Sequence, residues 1–345
     1  MKPLFIADKK LKFIYKQIQQ QIGGEPKDGL NMGVQLKGTH INGHVHGISF
    51  SNTISYIKYK VSLKEDLAVK VKSAHPNSSL YFMYCNKGSF LHIKQHGNSC
   101  KKIYENQTVV LKAGKAGIRF IIPKNQTNDV TIVKFNPKGY LKKEKQWASN
   151  LHDFQPVFKI LNENDDFSHY GNCNLKIAEI IEQIDKVKET GVLKNIFMEG
   201  HVKLLLAFLI QQYISDLRYD TNSFELSNLE IQKVKRISSA IKQSPEKSYS
   251  IKKLTSQYAI TPPKLQKGFK LMFEKTVTGY IKNSRLEMAE EMIKKREYTI
   301  SEIVYKIGFS SKSYFSKIFK EKYGCNPKDY QDNIKKSLKN NINEA

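Results

Sequence analysis

The chain has 345 residues, 40% hydrophobic and 26% charged, which excludes a disordered polyelectrolyte or a membrane-immersed bundle and allows about two globular domains. Its longest apolar run, Leu204 to Ile210, is far short of the roughly 20 residues a spanning helix needs. The net charge is +25, with +13 on residues 226–345 and +12 on the 225 residues before them, so the C-terminal third is about twice as positive per residue, as a surface meant for a polyanion is.

A generally lysine-rich composition is the alternative reading of that charge, since Lys outnumbers Arg 52 to 5. The N-terminus carries Lys2, Asp8, Lys9 and Lys10 around a short apolar stretch, unlike a signal peptide, so a cytoplasmic protein without a membrane partner is expected. Cys85, Cys100, Cys173 and Cys325 include no C-x-x-C pair, which argues against a disulfide framework and a zinc knuckle.

From about Ile54 to Phe135 short β-prone runs follow one another: Ile54 to Val61, Leu80 to Cys85, Thr108 to Leu111, Ile118 to Ile122 and Val130 to Phe135. Turn signals separate them at Pro76-Asn77, Asn86-Lys87-Gly88, Gly97-Asn98 and Pro123-Lys124-Asn125. This spacing predicts a β-sandwich or small barrel. Histidines occur at His40, His44, His46, His75, His92 and His96. On a strand, His44 and His46 share a face, the start of a metal site, but no acidic residue follows at cupin spacing, so exposed or hydrogen-bonded histidines and no metal cofactor are expected.

After Tyr170 the period becomes helical. Ile177, Ile180, Ile181, Ile184 and Val187 form one stripe, and a second helix near Phe197 to Leu217 is apolar on nearly every side. These helices serve either as intrachain core or as a dimer interface. Arg218 to Asn228, rich in Asn, Ser, Thr and Asp, reads as a linker.

Beyond it lies an internal echo. Ile251 and Leu254, a turn at Tyr258-Ala259-Ile260, a cap at Thr261, then Leu265 and Phe269, are answered by Ile300, Ile303, Val304 and Ile307, a turn at Gly308-Phe309, a cap at Ser311, then Phe315, Ile318 and Phe319. Each is a helix-turn-helix unit. With Leu265 and Phe269 buried, Pro263, Gln266, Lys267 and Lys270 share the opposite face. In the second unit Ser313, Ser316, Lys317 and Lys320 do so, with Lys312 at the helix start. Such side chains suit base edges or phosphates, and a solvated helix face is the plain alternative. A helix through Val277, Tyr280, Ile281, Met288, Ala289, Met292 and Ile293 joins the units and spans roughly 27 Å, which puts two adjacent major grooves within reach.

From Tyr280 to Tyr330 the residues resemble the AraC/XylS transcription regulators: Tyr280-Ile281-x-x-x-Arg285-Leu286-x-x-Ala289, Ile300-x-Glu302-Ile303, Gly308-Phe309, Tyr314-Phe315-x-x-x-Phe319-Lys320 and Gly324-x-x-Pro327-x-x-Tyr330. The resemblance implies an α+β chain: a cupin-like sensor (residues 1–150), a helical linker and dimerisation segment (151–219), and a DNA-binding domain (226–335). It implies base contacts from Pro263, Gln266, Lys267, Lys312, Ser313, Ser316 and Lys317. Double-stranded DNA, RNA polymerase, a small-molecule effector and a second copy of the chain are the expected partners of such an activator. Lys267 and Lys317 stand where many members carry Arg, which favours point-charge contacts to phosphate. Lys264-Leu265-x-x-Gly268-Phe269-Lys270 with Thr276-Val277 resembles a siderophore-responsive branch and suggests a ferric siderophore. A constitutive DNA-binding dimer and a cupin-type metalloenzyme are the alternatives, and no catalytic residue is assigned.

Overall fold

The computed structural model describes residues 3–8, 10–27, 32–50, 52–73, 79–94, 99–143, 154–162, 167–218, 226–295 and 297–333. His75, His96, the Pro76-Asn77 and Gly97-Asn98 turns and residues 219–225 of the expected linker lie outside them. The chain divides into two compact units, residues 1–223 and 224–345. It is a mixed α+β structure, β-rich in the first unit and helical in the second.

The first unit opens with β1 (Leu4–Asp8), α1 (Leu11–Ile22), β2 (Glu25–Lys27), β3 (Met32–Lys37) and β4 (Ile41–Phe50). It continues through β5 (Ile54–Leu63), β6 (Leu67–Ser73), β7 (Leu80–Lys87), β8 (Ser89–Ile93), β9 (Cys100–Tyr104), β10 (Gln107–Lys112), β11 (Ile118–Ile122) and β12 (Thr127–Phe135). The helices α2 (Pro137–Lys143) and α3 (Gln155–Asn162), the strand β13 (Phe167–Cys173), and the helices α4 (Leu175–Asp185) and α5 (Gly191–Arg218) complete it. One sheet has the order β1-β6-β11-β8-β9, the other β13-β10-β7-β12-β5-β4-β3-β2. All five runs expected from sequence are strands.

Strand alternation assigns each residue to one of two cores. On β7, Tyr81, Met83 and Cys85 join Val69, Phe90, Phe120 and Ile122 in a core built from both sheets. Leu80, Phe82 and Tyr84 point the other way, into a core completed by Val157, Ile177, Ile181, Ile184, Leu205 and Leu209. That second core decides between the two readings of the helical segment for one of its faces: the isoleucine stripe of α4 is buried within the chain. The opposite side of α5 carries Val192, Leu193 (60% exposed), Ile196 (61% exposed), Phe197 and Leu204.

A buried polar relay sets the α5 register. Asn174 caps α4 by accepting from the Lys176 and Ile177 amides and donates to Gln212 Oε1 at 2.6 Å. Gln212 donates to Asp216 at 2.7 Å, and Asp216 meets His169 Nε2 at 3.2 Å. Satisfied buried polar groups of this kind fix a single packing arrangement.

The second unit consists of α6 (Asn228–Gln243), α7 (Ile251–Tyr258), α8 (Pro262–Phe273), α9 (Val277–Lys295), α10 (Ile300–Lys306) and α11 (Lys312–Tyr323). Reciprocal capping boxes start two of them, Ser227 with Glu230 on α6 and Thr299 with Glu302 on α10, each satisfying two otherwise orphaned amides. Leu286, Ala289 and Ile293 of α9 pack with Ile303, Ile307, Phe315, Ile318 and Phe319. Tyr330 closes this core by donating to Glu290 Oε1 at 2.7 Å.

Candidate nucleic-acid interface

The first helix-turn-helix unit is α7 and α8. Ser250 caps α7 by accepting from the Lys253 amide, and Ala259 ends it in the left-handed region at φ 48°. Thr261 takes the N-cap position of α8 without a side-chain hydrogen bond. Pro262 and Pro263 follow in the first turn, where a missing N–H leaves no helical bond unmade. Leu265 and Phe269 are completely buried, and this fixes the opposite face.

On that face Pro263 and Lys270 are exposed, while Gln266 and Lys267 are half-buried. Gln266 has a structural task that its sequence position did not reveal. Its Oε1 accepts from the Val277 amide at 3.3 Å, satisfying an orphan donor at the α9 N-terminus. A bidentate grip on an adenine edge needs both the oxygen and the nitrogen of the amide, so that grip requires Gln266 to release α9. Beside it, Lys264 pairs with Glu230 at 2.5 Å, and this hydrogen bond holds the Glu230 carboxyl below the usual carboxylate range.

Gly268 lies on the inward side of α8. A Cβ there would come within 2.5 Å of Val234 Cγ2 and 3.4 Å of Leu226 Cδ1. Glycine disfavours the helix by about 1 kcal/mol relative to alanine, but at this position it lets α8 approach α6. The close approach, invisible in the local sequence, is the physical reason for the residue.

The second unit is α10 and α11. Gly308 turns between them at φ +79°, and a Cβ there would stand 2.6 Å from the Glu246 carbonyl oxygen, so both conformation and space call for glycine. Ser311 caps α11 by accepting from the Tyr314 amide. Phe315, Ile318 and Phe319 are buried, and the outer face carries Lys312, Ser313, Lys317 and Lys320, all exposed, with Ser316 half-buried. Lys312 Nζ donates to Ser301 Oγ at 3.1 Å, tying the start of α11 to α10.

Two aromatic residues escaped the face rule applied to the sequence. Tyr314 is 48% exposed on α11, edge-on to Phe309. Tyr305 is 85% exposed on α10. Tyr314, on the helix that carries Lys317 and Lys320, is a contact candidate, because its ring and hydroxyl can both engage a sugar-phosphate backbone. Their signal in the sequence was aromatic character at positions that the apolar stripe skips.

The linking helix α9 has 19 residues, about 28 Å at 1.5 Å per residue. Each predicted polar face is thus assembled on its own helix, and α9 joins them within one unit.

In the first unit, His44 and His46 do share a face of β4, with ring centroids 5.3 Å apart. Burial lowers the pKa of both, that of His46 to about 4. Among the described residues no group of three or more His, Cys, Asp or Glu is placed to hold a metal ion. His92 meets the Tyr170 hydroxyl at 2.8 Å. No described helix is long and apolar enough to cross a membrane.

Comparison with known proteins bears on the same segment. Residues 254–333 match a family described as a helix-turn-helix domain. The HTH-type transcriptional regulator AlkR of Acinetobacter baylyi is 30% identical over 92 residues, 27% of this chain and 30% of AlkR, so the chain spans under a third of that relative's length. The HTH-type transcriptional activator RhaR of Mannheimia succiniciproducens is 19% identical over 218 residues, 54% of this chain and 79% of RhaR. Among solved structures, unsaturated fatty acid bound ToxT from Vibrio cholerae is 17% identical, covering 82% of this chain and 96% of its own with a TM-score of 0.32.

Proposed function

We propose, from the match of residues 254–333 to a helix-turn-helix domain and the resemblance of Tyr280 to Tyr330 to the AraC/XylS regulators, that the whole chain is an effector-responsive, sequence-specific transcription activator. The observation that carries this reading is the repetition of one device: two short helix-turn-helix units, each burying an apolar stripe and leaving a polar, lysine-bearing face outward. Pro263, Gln266, Lys267 and Lys270 serve one half-site, and Lys312, Ser313, Ser316, Lys317 and Lys320 the other. Lysine and serine favour phosphate contacts and tolerant base contacts over bidentate reading of guanine.

Residues 1–150 are the sensor, residues 151–219 carry the dimer contact, and residues 226–335 bind DNA. A second copy meets the outer side of α5, whose apolar side chains stand exposed among the described residues. The effector acts by binding one arrangement of the dimer better than another, because only differential affinity shifts such an equilibrium. RNA polymerase is the partner through which bound protein activates transcription, in the cytoplasm.

The test is selection of duplexes from a random pool by the full chain, followed by transcription in vitro from the selected site. Enrichment of a bipartite site and stimulated transcription are expected. Retention of DNA without sequence enrichment contradicts the reading.

A further inference from the structure

Between the two sheets of the first unit lies a cavity of about 100 Å³. Side chains from both sheets and from α1 line it, among them Ile14, Ile18, Val69, Met83, Phe120 and Ile132. The lining is entirely apolar, and Tyr59 and Tyr81 turn only carbon toward it. Water entering such a space finds none of the two to four polar partners it needs, and apolar cavities of this kind stay dry. The lining atoms therefore forgo dispersion contacts that an apolar guest would restore.

The roof of the cavity has its own fastening. Leu11, Ile14, Tyr15 and Ile18 are the buried face of α1, and β1 is the edge strand of its sheet, paired with β6 among the described strands. The two are latched by side-chain amides: Gln17 exchanges hydrogen bonds with the Ala7 main chain at 2.8 and 3.1 Å. Gln21 does the same with Phe5 at 2.9 and 2.7 Å. These bonds are exposed or half-buried, so exchanging them for water is easier than opening the sandwich elsewhere.

We propose that this cavity beneath α1 is a binding site for a compact, uncharged hydrocarbon group, free or as the end of a larger effector. An engineered apolar cavity of about 150 Å³ accepts benzene, so the present one suits about four to six carbon atoms. Charged and hydrogen-bonding groups, a ferric chelate included, find no partner in it. The proposal rests on the effector-responsive reading only for its regulatory meaning.

Saturation-transfer NMR of the full-length protein with benzene and with n-hexane tests it, with ionised hexanoate as control. Both hydrocarbons are expected to bind, and hexanoate at least tenfold more weakly. Val69→Phe, which fills the cavity, is expected to weaken benzene binding at least tenfold, and Ile132→Phe provides the same test from the opposite sheet should the first variant fail to fold. Absence of hydrocarbon binding to the wild type overturns the assignment, as does undiminished binding by a folded filled variant. Operator affinity measured with and without benzene separates the two ideas: binding without a change in operator affinity supports the cavity as a site and contradicts its regulatory role. An operator response to some other molecule, with no hydrocarbon binding, contradicts the cavity as a site and supports the effector-responsive reading.

Discussion

Arg285 Nη1 donates to the Gly308 carbonyl oxygen at 2.9 Å, fastening the middle of α9 to the turn of the second helix-turn-helix unit. The same guanidinium donates through Nε to the Pro245 carbonyl at 2.9 Å and through Nη2 to that of Lys247 at 3.1 Å. It also lies 5.4 Å from the centre of the Phe309 ring. One side chain thus joins α9, the α6–α7 connection and the α10–α11 turn. A lysine keeps the charge but cannot reproduce three donors in a fixed plane. Arg285→Lys is expected to destabilise the second unit by about 1–3 kcal/mol and to weaken operator binding. Urea denaturation followed by a binding titration checks this, and a variant with unchanged stability contradicts the role assigned to Arg285.

The buried histidines set a pH dependence with a definite sign. Burial holds His46 and His92 near 4, below the ordinary 6.5. Between those values the unfolded chain binds protons that the folded chain does not, so stability is complete above about pH 6.5 and declines as pH falls toward 4. Each histidine contributes at most roughly 1.4 kcal/mol per pH unit in that window. Melting temperatures at pH 7.5, 6 and 5 are expected to fall in that order, and His46→Gln is expected to flatten the decline. A melting temperature constant from pH 7.5 to 5 contradicts this account.

The two sides of the helical segment respond differently to charge. Ile181 is buried beneath the sheet, so Ile181→Asp is expected to destabilise the fold by several kcal/mol. Ile196 lies on the outer side of α5, so Ile196→Asp is expected to leave the melting behaviour nearly intact while converting a dimer to monomer. Sedimentation of both variants decides. A dimer unaffected by Ile196→Asp places its interface elsewhere.

How far the sequence could be read depended on whether a pattern was local. Five of the eight strands described between Ile54 and Phe135, namely β5, β7, β10, β11 and β12, announced themselves through β-branched runs and turn residues, whereas β6, β8 and β9 did not. β3 and β4 did not, because Gly33, Gly43 and Gly47 interrupt them, and these glycines are there for neighbouring main chain: a Cβ on Gly43 would fall 2.0 Å from the Lys60 carbonyl oxygen. Helical periodicity made both helix-turn-helix units legible, down to the cap at Ser311, while Thr261, expected to cap α8, holds the N-cap position without a side-chain hydrogen bond. Periodicity also exposed the apolar stripes of α4 and α5 without saying which was covered, since that depends on the outer face of a distant sheet. Gln266 is the sharpest case in the interface: helical geometry placed it on the outer face, while its bond to the Val277 amide depends on how α9 docks.

The most direct measurement of the account is a hydroxyl-radical footprint of the full chain on its selected operator, repeated with Gln266→Ala and Lys320→Ala. Two protected stretches on one face of the duplex, centred about 10–10.5 base pairs apart, are expected. Gln266→Ala should relax discrimination at a base pair under the first stretch, at about 1–3 kcal/mol on the preferred site. Lys320→Ala should weaken specific and random DNA alike and lower the salt slope by about one. A single protected stretch, or strict base preference confined to the half-site under α11, would contradict the claim that both units enter the groove in these roles.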